Sequence, residues 1–177
     1  MFGKQISDLM IKPGKSDVFD SPKNYGLNYE DVTFKAEDGV TLSGWLIKGD
    51  SDKVIIQSHF GVQCSRSGFT VKGKNFIEKS LWDKDIPFLK QAKYLNDKGY
   101  TVLMYDMRNH GNSERTDWIT WGLKERKDIV GALNFISNHN DYKDANIGLL
   151  SICMGQAISV FASVSYTHLT LPTTSRV

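Results

Sequence analysis

The stretch Asn146-Ile147-Gly148-Leu149-Leu150-Ser151-Ile152-Cys153-Met154-Gly155 decides the fold. Its first five residues are an apolar run that predicts a strand, and residues 156–163 have the character of a helix. A strand, a tight turn with a reactive side chain at its centre and a helix form a nucleophile elbow, which here carries cysteine. The elbow strains its central residue and needs small residues two positions away on each side, as Ser151 and Gly155 are.

Cys153 would then lie at a helix N-terminus, where free N–H groups and the helix dipole favour a thiolate. The alternative for these few residues is a buried structural cysteine. Two further motifs favour the elbow because each also follows a strand-like run. Gln57-Ser58-His59-Phe60-Gly61 ends the run that begins at Lys53, and Asp106-Met107-Arg108-Asn109-His110-Gly111-Asn112-Ser113 follows the run Tyr100–Tyr105.

Along the chain, the motif at residues 57–61 comes first, the motif at residues 106–113 second and the elbow third, and each stands at the end of a predicted strand. In this order the three motifs resemble the α/β-hydrolase superfamily over residues 28–163. Cysteine elbows of this kind are similar to those of dienelactone hydrolases and bile-acid-CoA acyltransferases. The resemblance implies a truncated α/β-hydrolase fold. It consists of an N-terminal hairpin and then parallel strands, with helices on both faces and the reactive groups at the carboxyl ends of the strands.

The local patterns predict the elements of this fold. Glu37-Asp38-Gly39 predicts a hairpin turn, and Asp85 is the expected N-cap of the first long helix. Strands are expected at Tyr29–Lys35, Val40–Lys48, Lys53–Ser58, Tyr100–Tyr105 and Asn146–Leu150, with helices from Ile86 to Lys98 and within Trp121–Asn138.

The resemblance also implies the roles of the site residues. Cys153 is the expected nucleophile, which forms an acyl-enzyme with an ester or thioester. The oxyanion hole is expected to combine the backbone N–H of Met154 with that of Phe60 or Gly61. His59 is expected to serve the structure of its loop rather than to act as the base.

The cluster that follows the run Tyr100–Tyr105 contains several polar groups that resemble an acid–base site. The family resemblance instead implies that its Asp and Arg connect neighbouring loops and that its glycine allows a positive φ. Cys64, in the long stretch 61–84, is not expected to be a second reactive thiol. The cluster consists of Asp106, Arg108, His110, Gly111 and Ser113.

The acid and the histidine that complete a catalytic triad in this family are expected after the nucleophile, and no carboxylate follows Cys153 in this chain. Residues 164–177 resemble translated sequencing-adapter sequence; the alternative is a genuine Thr-rich strand or tail. The predicted organisation is therefore an N-terminal extension (1–28), a partial α/β-hydrolase domain (29–163) and a non-native tail (164–177), inactive as it stands.

Composition narrows the class of protein. The 177 residues carry a net charge of +2, and basic and acidic residues are interspersed along the chain. The clustered basic residues that bind nucleic acid are therefore not expected. No apolar run is long enough to span a membrane, and the first 15 residues lack a signal-peptide core. Two cysteines make no disulfide framework, so a cytoplasmic setting is expected.

The predicted function is hydrolysis of a small-molecule ester or thioester, with no cofactor and no metal ion. Two alternatives remain open from the sequence. One is acyl transfer to an amine or alcohol through the same acyl-enzyme, and the other is a non-catalytic binding module with the same fold.

Overall fold

A five-stranded mixed sheet, in the order β1-β2-β6-β3-β7, organises the chain. The structure is a computed structural model that describes residues 2–12, 16–74 and 83–165. The strands are β1 (Tyr29–Lys35), β2 (Thr41–Ile47), β3 (Lys53–Ser58), β4 (Gly68–Phe69), β5 (Ile86–Pro87), β6 (Thr101–Tyr105) and β7 (Asn146–Ser151), and the helices are α1 (Phe2–Ile11), α2 (Leu89–Asp97), α3 (Arg126–Ser137) and α4 (Met154–Ser165), with a short 3-10 helix at Pro22–Tyr25.

The predicted N-terminal hairpin is confirmed. Strands β1 and β2 pair antiparallel along their whole length, from Tyr29 opposite Ile47 to Lys35 opposite Thr41. The turn between them contains Gly39 with a φ of 87°, which glycine adopts without steric cost. Strand β2 also pairs antiparallel with β6, so the hairpin extends one edge of the parallel part of the sheet.

The three predicted parallel strands are confirmed as neighbours. Strand β3 lies in the centre and pairs in parallel with β6 on one side and with β7 on the other. All five residues of β6 are buried, and Val54 and Ile56 of β3 have no exposed surface. Continuous apolar runs of this kind are typical of parallel strands that helices cover on both faces.

The helices do lie on both faces, and the direction of the chain explains why. The connection from β3 to β6 moves one way along the sheet, and the connection from β6 to β7 moves back past β3. Right-handed crossovers then place α2 on one face and α3 on the other. Leu89 of α2 belongs to one apolar core, whereas Ile129 of α3 and Ile158 of α4 belong to the other.

The first long helix begins later than predicted. Helix α2 starts at Leu89 rather than near Ile86, because Ile86 and Pro87 form a short strand opposite Gly68 and Phe69. Asp85 is not the N-cap; its carboxylate accepts a hydrogen bond from the N–H of Val71 at 2.9 Å.

The N-terminal segment is more ordered than a loop. Helix α1 packs near the loop before α3, where the Ile119 N–H donates to the carbonyl of Ile11 at 2.8 Å. Ser16 accepts a hydrogen bond from the Gly111 N–H at 2.7 Å. Of the predicted tail, Val164 and Ser165 belong to α4, and residues 166–177 lie outside the described part of the chain.

Candidate active site

Cys153 occupies the turn between β7 and α4. Its φ is 54°, a left-handed conformation that a non-glycine residue adopts at a cost of about 1–3 kcal/mol. The thiol-bearing residue is exposed, although β7 and α4 on either side of it pack into the fold. A strained, exposed residue held between a strand of the parallel sheet and a helix has the backbone geometry of a nucleophile elbow.

Gly155 allows the elbow to approach the central strand. A Cβ atom at this position would lie 2.8 Å from the carbonyl oxygen of Ser58 and 3.0 Å from that of His59. These are backbone atoms, which cannot move aside as a flexible side chain does. The small residue two positions after Cys153 is therefore required by close contact with the end of β3.

Ser151 fills the other small position, two residues before Cys153. Its hydroxyl lies 2.6 Å from the hydroxyl of Ser159 on α4. Ser159 in turn donates to the carbonyl of Gly155 at 2.9 Å. The chain thus accommodates serine here through a hydrogen-bonded link between the end of β7 and the first turns of α4.

The loop after β3 lies beside the elbow because the two strands end at the same level. Ser58 and Ser151 are paired in the sheet, and the Ile152 N–H donates to the Ser58 carbonyl at 3.1 Å. Three residues beyond this pair, Gly61 packs against Met154, and an added Cβ would overlap the Met154 sulfur. The two residues expected to supply oxyanion donors are therefore in contact.

Helix geometry leaves one of these donors without a partner inside α4. Met154 is the first residue of α4, and N–H groups in the first turn of a helix have no acceptor within it. The next two N–H groups are engaged locally, because Gly155 donates to the carbonyl of Ile152 and Gln156 to that of Cys153, each at 2.9 Å. Such a first-turn N–H is suited to bind an anion.

Cys64 contacts the same loop from the interior. It is fully buried, and burial raises the pKa of its thiol well above the usual value. A backbone hydrogen bond with Phe60 opposes that rise. The interior position of Cys64 gives it none of the access that Cys153 has.

His59 is buried with both ring nitrogens engaged. Its Nδ1 lies 2.7 Å from the Phe60 carbonyl oxygen, and its Nε2 accepts from the Met107 N–H at 3.1 Å. The proton therefore lies on Nδ1. Burial first, and the charge of His110 second, lower the pKa of His59 to about 3. A neutral ring saturated by backbone groups is a structural element and has no nitrogen left to act as a base.

His110 connects the same two loops from the opposite side. Its Nδ1 lies 2.9 Å from the Arg108 carbonyl oxygen and its Nε2 lies 3.0 Å from that of Gly61. The rings of His110 and His59 are 5.0 Å apart and nearly perpendicular. Each histidine thus reaches from its own loop to the backbone of the other loop.

Asp106 lies at the end of β6 and holds three donors. It accepts from the backbone N–H of Arg66 at 2.6 Å and of Asn112 at 2.9 Å, and it forms an ion pair with the Arg66 guanidinium. Burial raises the pKa of Asp106, and the charge of Arg66 opposes the rise. The carboxylate connects the loops after β3 and β6, so it is a structural group.

Arg108 connects its own loop to two other parts of the chain. Its Nε and backbone N–H donate to the Asp128 carboxylate of α3 at 2.8 and 2.9 Å, and its terminal nitrogens donate to Asp38 in the hairpin turn at 2.7 and 2.9 Å. Burial raises the pKa of Asp128, whereas the hydrogen bonds from Arg108 lower the pKa of Asp38. The sequence predicted that Arg108 connects neighbouring loops, but it did not identify Asp38 and Asp128 as its partners.

Two classes of site are absent from the part of the chain that the structure describes. Within residues 2–12, 16–74 and 83–165, no three His, Cys, Asp or Glu side chains are grouped as metal ligands. In the same ranges, no helix has the length and apolar character needed to cross a membrane.

Solved structures share this arrangement of strands and helices. The esterase Pf2001 of Pyrococcus furiosus matches with a TM-score of 0.68 and 27% identity, over 90% of this chain and 54% of that one. The chain has an α/β-hydrolase fold. It spans about half the length of the Pyrococcus esterase. No family model and no curated protein matches the sequence.

More distant structures support the same fold. An α/β hydrolase, GrgF, from Penicillium sp. sh18 matches with a TM-score of 0.51 and 23% identity, over 77% of this chain and 42% of that one. The esterase EaEST from Exiguobacterium antarcticum matches with a TM-score of 0.51 and 16% identity, over 77% of this chain and 41% of that one. At these identities the likeness concerns the fold alone.

Proposed function

We propose that the chain is part of an acyl hydrolase that attacks an ester or thioester with Cys153. The observation that carries the proposal is the exposed Cys153 at a φ of 54°, in the turn between β7 and α4. Strain of this kind persists only where the surrounding structure enforces it, and it is concentrated at functional sites. The likeness to the Pyrococcus esterase supports the same class of chemistry.

The proposed reaction begins with the Cys153 thiolate, whose proton has passed to solvent. The sulfur attacks the acyl carbon, a C–S bond forms, and the carbonyl π electrons move onto oxygen. The oxyanion then collapses and expels the alcohol or thiol part of the substrate as its anion, which leaves a thioester on Cys153. Hydrolysis of that thioester needs a base to take a proton from water.

We propose Met154 and Gly61 as the oxyanion donors. The Met154 N–H lies in the first turn of α4, and Gly61 packs directly on the Met154 side chain. Of the two residues considered in the loop after β3, we choose Gly61 because it lies directly against Met154. Each donor is worth about 3 kcal/mol of transition-state stabilisation.

The base for the second step lies elsewhere. His59 and His110 are buried, and their ring nitrogens are engaged by backbone groups of the two loops. The described residues after Cys153 contain neither histidine nor carboxylate. The chain is therefore expected to carry out the acylation half-reaction and to stop at the thioester.

The test is a burst experiment with p-nitrophenyl acetate. The chain should release one p-nitrophenolate per molecule and then turn over slowly. Cys153→Ala should release none above the background rate, whereas Cys64→Ala, which removes the buried thiol, should keep the burst. A burst of equal size in Cys153→Ala would overturn the proposal, and binding of esters without any burst would favour the non-catalytic module.

A further inference from the structure

The loop after β3 and the loop after β6 are joined by a reciprocal pair of histidine contacts. His59 belongs to the first loop and receives the Met107 N–H of the second at 3.1 Å. His110 belongs to the second loop and contacts the Gly61 carbonyl of the first at 3.0 Å. Both side chains are almost completely buried, at 1% and 3% exposure, so these contacts form away from competing water.

The contacts fix two successive peptide groups around Gly61. His59 holds the carbonyl of Phe60, and His110 holds the carbonyl of Gly61. The peptide bonds are trans, so the Gly61 N–H points opposite to the Phe60 carbonyl that His59 holds. A glycine between two peptide groups has the greatest rotational freedom of any residue, and the two histidines restrict it on both sides.

His110 is itself held in place by the loop that carries it. Its Nδ1 faces the Arg108 carbonyl at 2.9 Å, and its backbone N–H donates to the Met107 carbonyl at 3.1 Å. Both ring nitrogens face carbonyl oxygens, and a nitrogen that carries a proton donates to the oxygen it faces. This anchoring orients the ring toward the Gly61 carbonyl.

We propose that His110 is a positioning residue for acyl transfer: by holding the Gly61 carbonyl it limits rotation about Gly61, whose N–H is the proposed oxyanion donor of that loop. The inference rests on the proposed function and extends it to a side chain that never touches the substrate. Its physical basis is that an oxyanion donor stabilises the transition state only when its direction is fixed beforehand.

The test separates two reactions of the same thiol. Acylation of Cys153 by p-nitrophenyl acetate passes through an oxyanion, whereas alkylation by iodoacetamide displaces iodide without one. Peptide mapping gives both rate constants at Cys153 in the whole chain. The ratio of acylation to alkylation therefore reports the oxyanion site, while changes in thiol exposure or folding alter both rates together.

His110→Phe keeps a ring of similar shape and removes both nitrogen contacts. We expect its acylation rate to fall about tenfold to a hundredfold, because the Gly61 N–H would no longer be held in the direction of the oxyanion. The alkylation rate should stay within about twofold of that of the wild-type chain. His110→Gln keeps an amide donor that reaches Gly61 and should recover most of the acylation rate. His139→Phe is the matched control at a half-buried histidine outside the two loops and should leave the ratio unchanged.

Three results would overturn the role of His110. The ratio could be the same in His110→Phe as in the wild-type chain, both rates could fall together, or Gln and Phe could lower the ratio equally. A wild-type chain whose Cys153 shows no excess of acylation over a cysteine in an unfolded peptide would instead count against thiol acylation as a whole. The two failures are therefore distinguishable.

Discussion

Gly155→Ala tests whether close contact between the elbow and the central strand is essential. The new Cβ would meet the Ser58 carbonyl oxygen at 2.8 Å, the Ser58 Cβ at 2.9 Å and the His59 carbonyl oxygen at 3.0 Å. Two of these three atoms are backbone atoms of β3 and its loop, so the elbow itself has to move away. Cys153 and Met154 would move with it, because both are within two residues of the change.

The magnitude follows from two opposing contributions. Overpacking of this kind costs about 1–3 kcal/mol. Replacing glycine by alanine in a helix returns up to about 1 kcal/mol, and less near a helix end. The net loss should be about 1–2 kcal/mol, which lowers the melting temperature by about 2–8 °C for a chain of this size.

The matched control is Gly148→Ala in β7. There an added Cβ meets only the Cδ1 atom of Ile55 at 2.9 Å, the flexible end of a side chain. Thermal unfolding and the p-nitrophenyl acetate burst measure the two variants side by side. Gly155→Ala should lose stability and slow the burst about tenfold or more, since small displacements of reacting groups carry large costs. Equal behaviour of the two variants would refute the contact as the reason for glycine.

Two further predictions concern stability and association. The pKa of His59 is lowered by burial from 6.5 to about 3, so the unfolded chain binds the extra proton and stability falls as the pH drops through this window. Between pH 7 and pH 5 the free energy of unfolding should fall by about 2 kcal/mol because of His59. Urea unfolding should show this fall in the wild-type chain and in a His139→Gln control. A His59→Gln variant with the same pH dependence would contradict the prediction. Val164, 80% exposed on α4 beside the exposed Phe161, is part of an apolar surface that favours association. Val164→Lys should reduce light scattering of concentrated samples more than Ile6→Lys on α1 does, and equal effects would argue against a localised surface on α4.

Much of the sheet was predictable because its strands are encoded by continuous apolar runs. The predicted bounds of β1 and β3 match the structure, those of β6 and β7 differ by one residue at one end, and those of β2 differ by one residue at each end. Buried parallel strands need apolar residues on both faces, which makes them easy to separate from helices when the runs are short. The elbow was predictable because one of its two small residues, Gly155, is required by close contact with the backbone of Ser58 and His59.

The contacts between loops were not predictable from local pattern. The stretch that contains Arg66 has no recognisable motif, although this residue is the ion-pair partner of Asp106 forty positions away. The role of His110 depends on the direction of its ring toward Gly61, which periodicity does not encode. The start of α2 was wrong because Pro87 is acceptable both in a first helical turn and at the end of a short strand.

The most direct test of the account compares Cys153 in the folded and unfolded chain. Rates of acylation by p-nitrophenyl acetate and of alkylation by iodoacetamide are measured at Cys153 by peptide mapping, in buffer and in urea. If the fold supplies two oxyanion donors, the ratio of acylation to alkylation should be at least about a hundredfold higher in the folded chain. A ratio that is the same in both states would contradict the proposal that this elbow is built for acyl transfer.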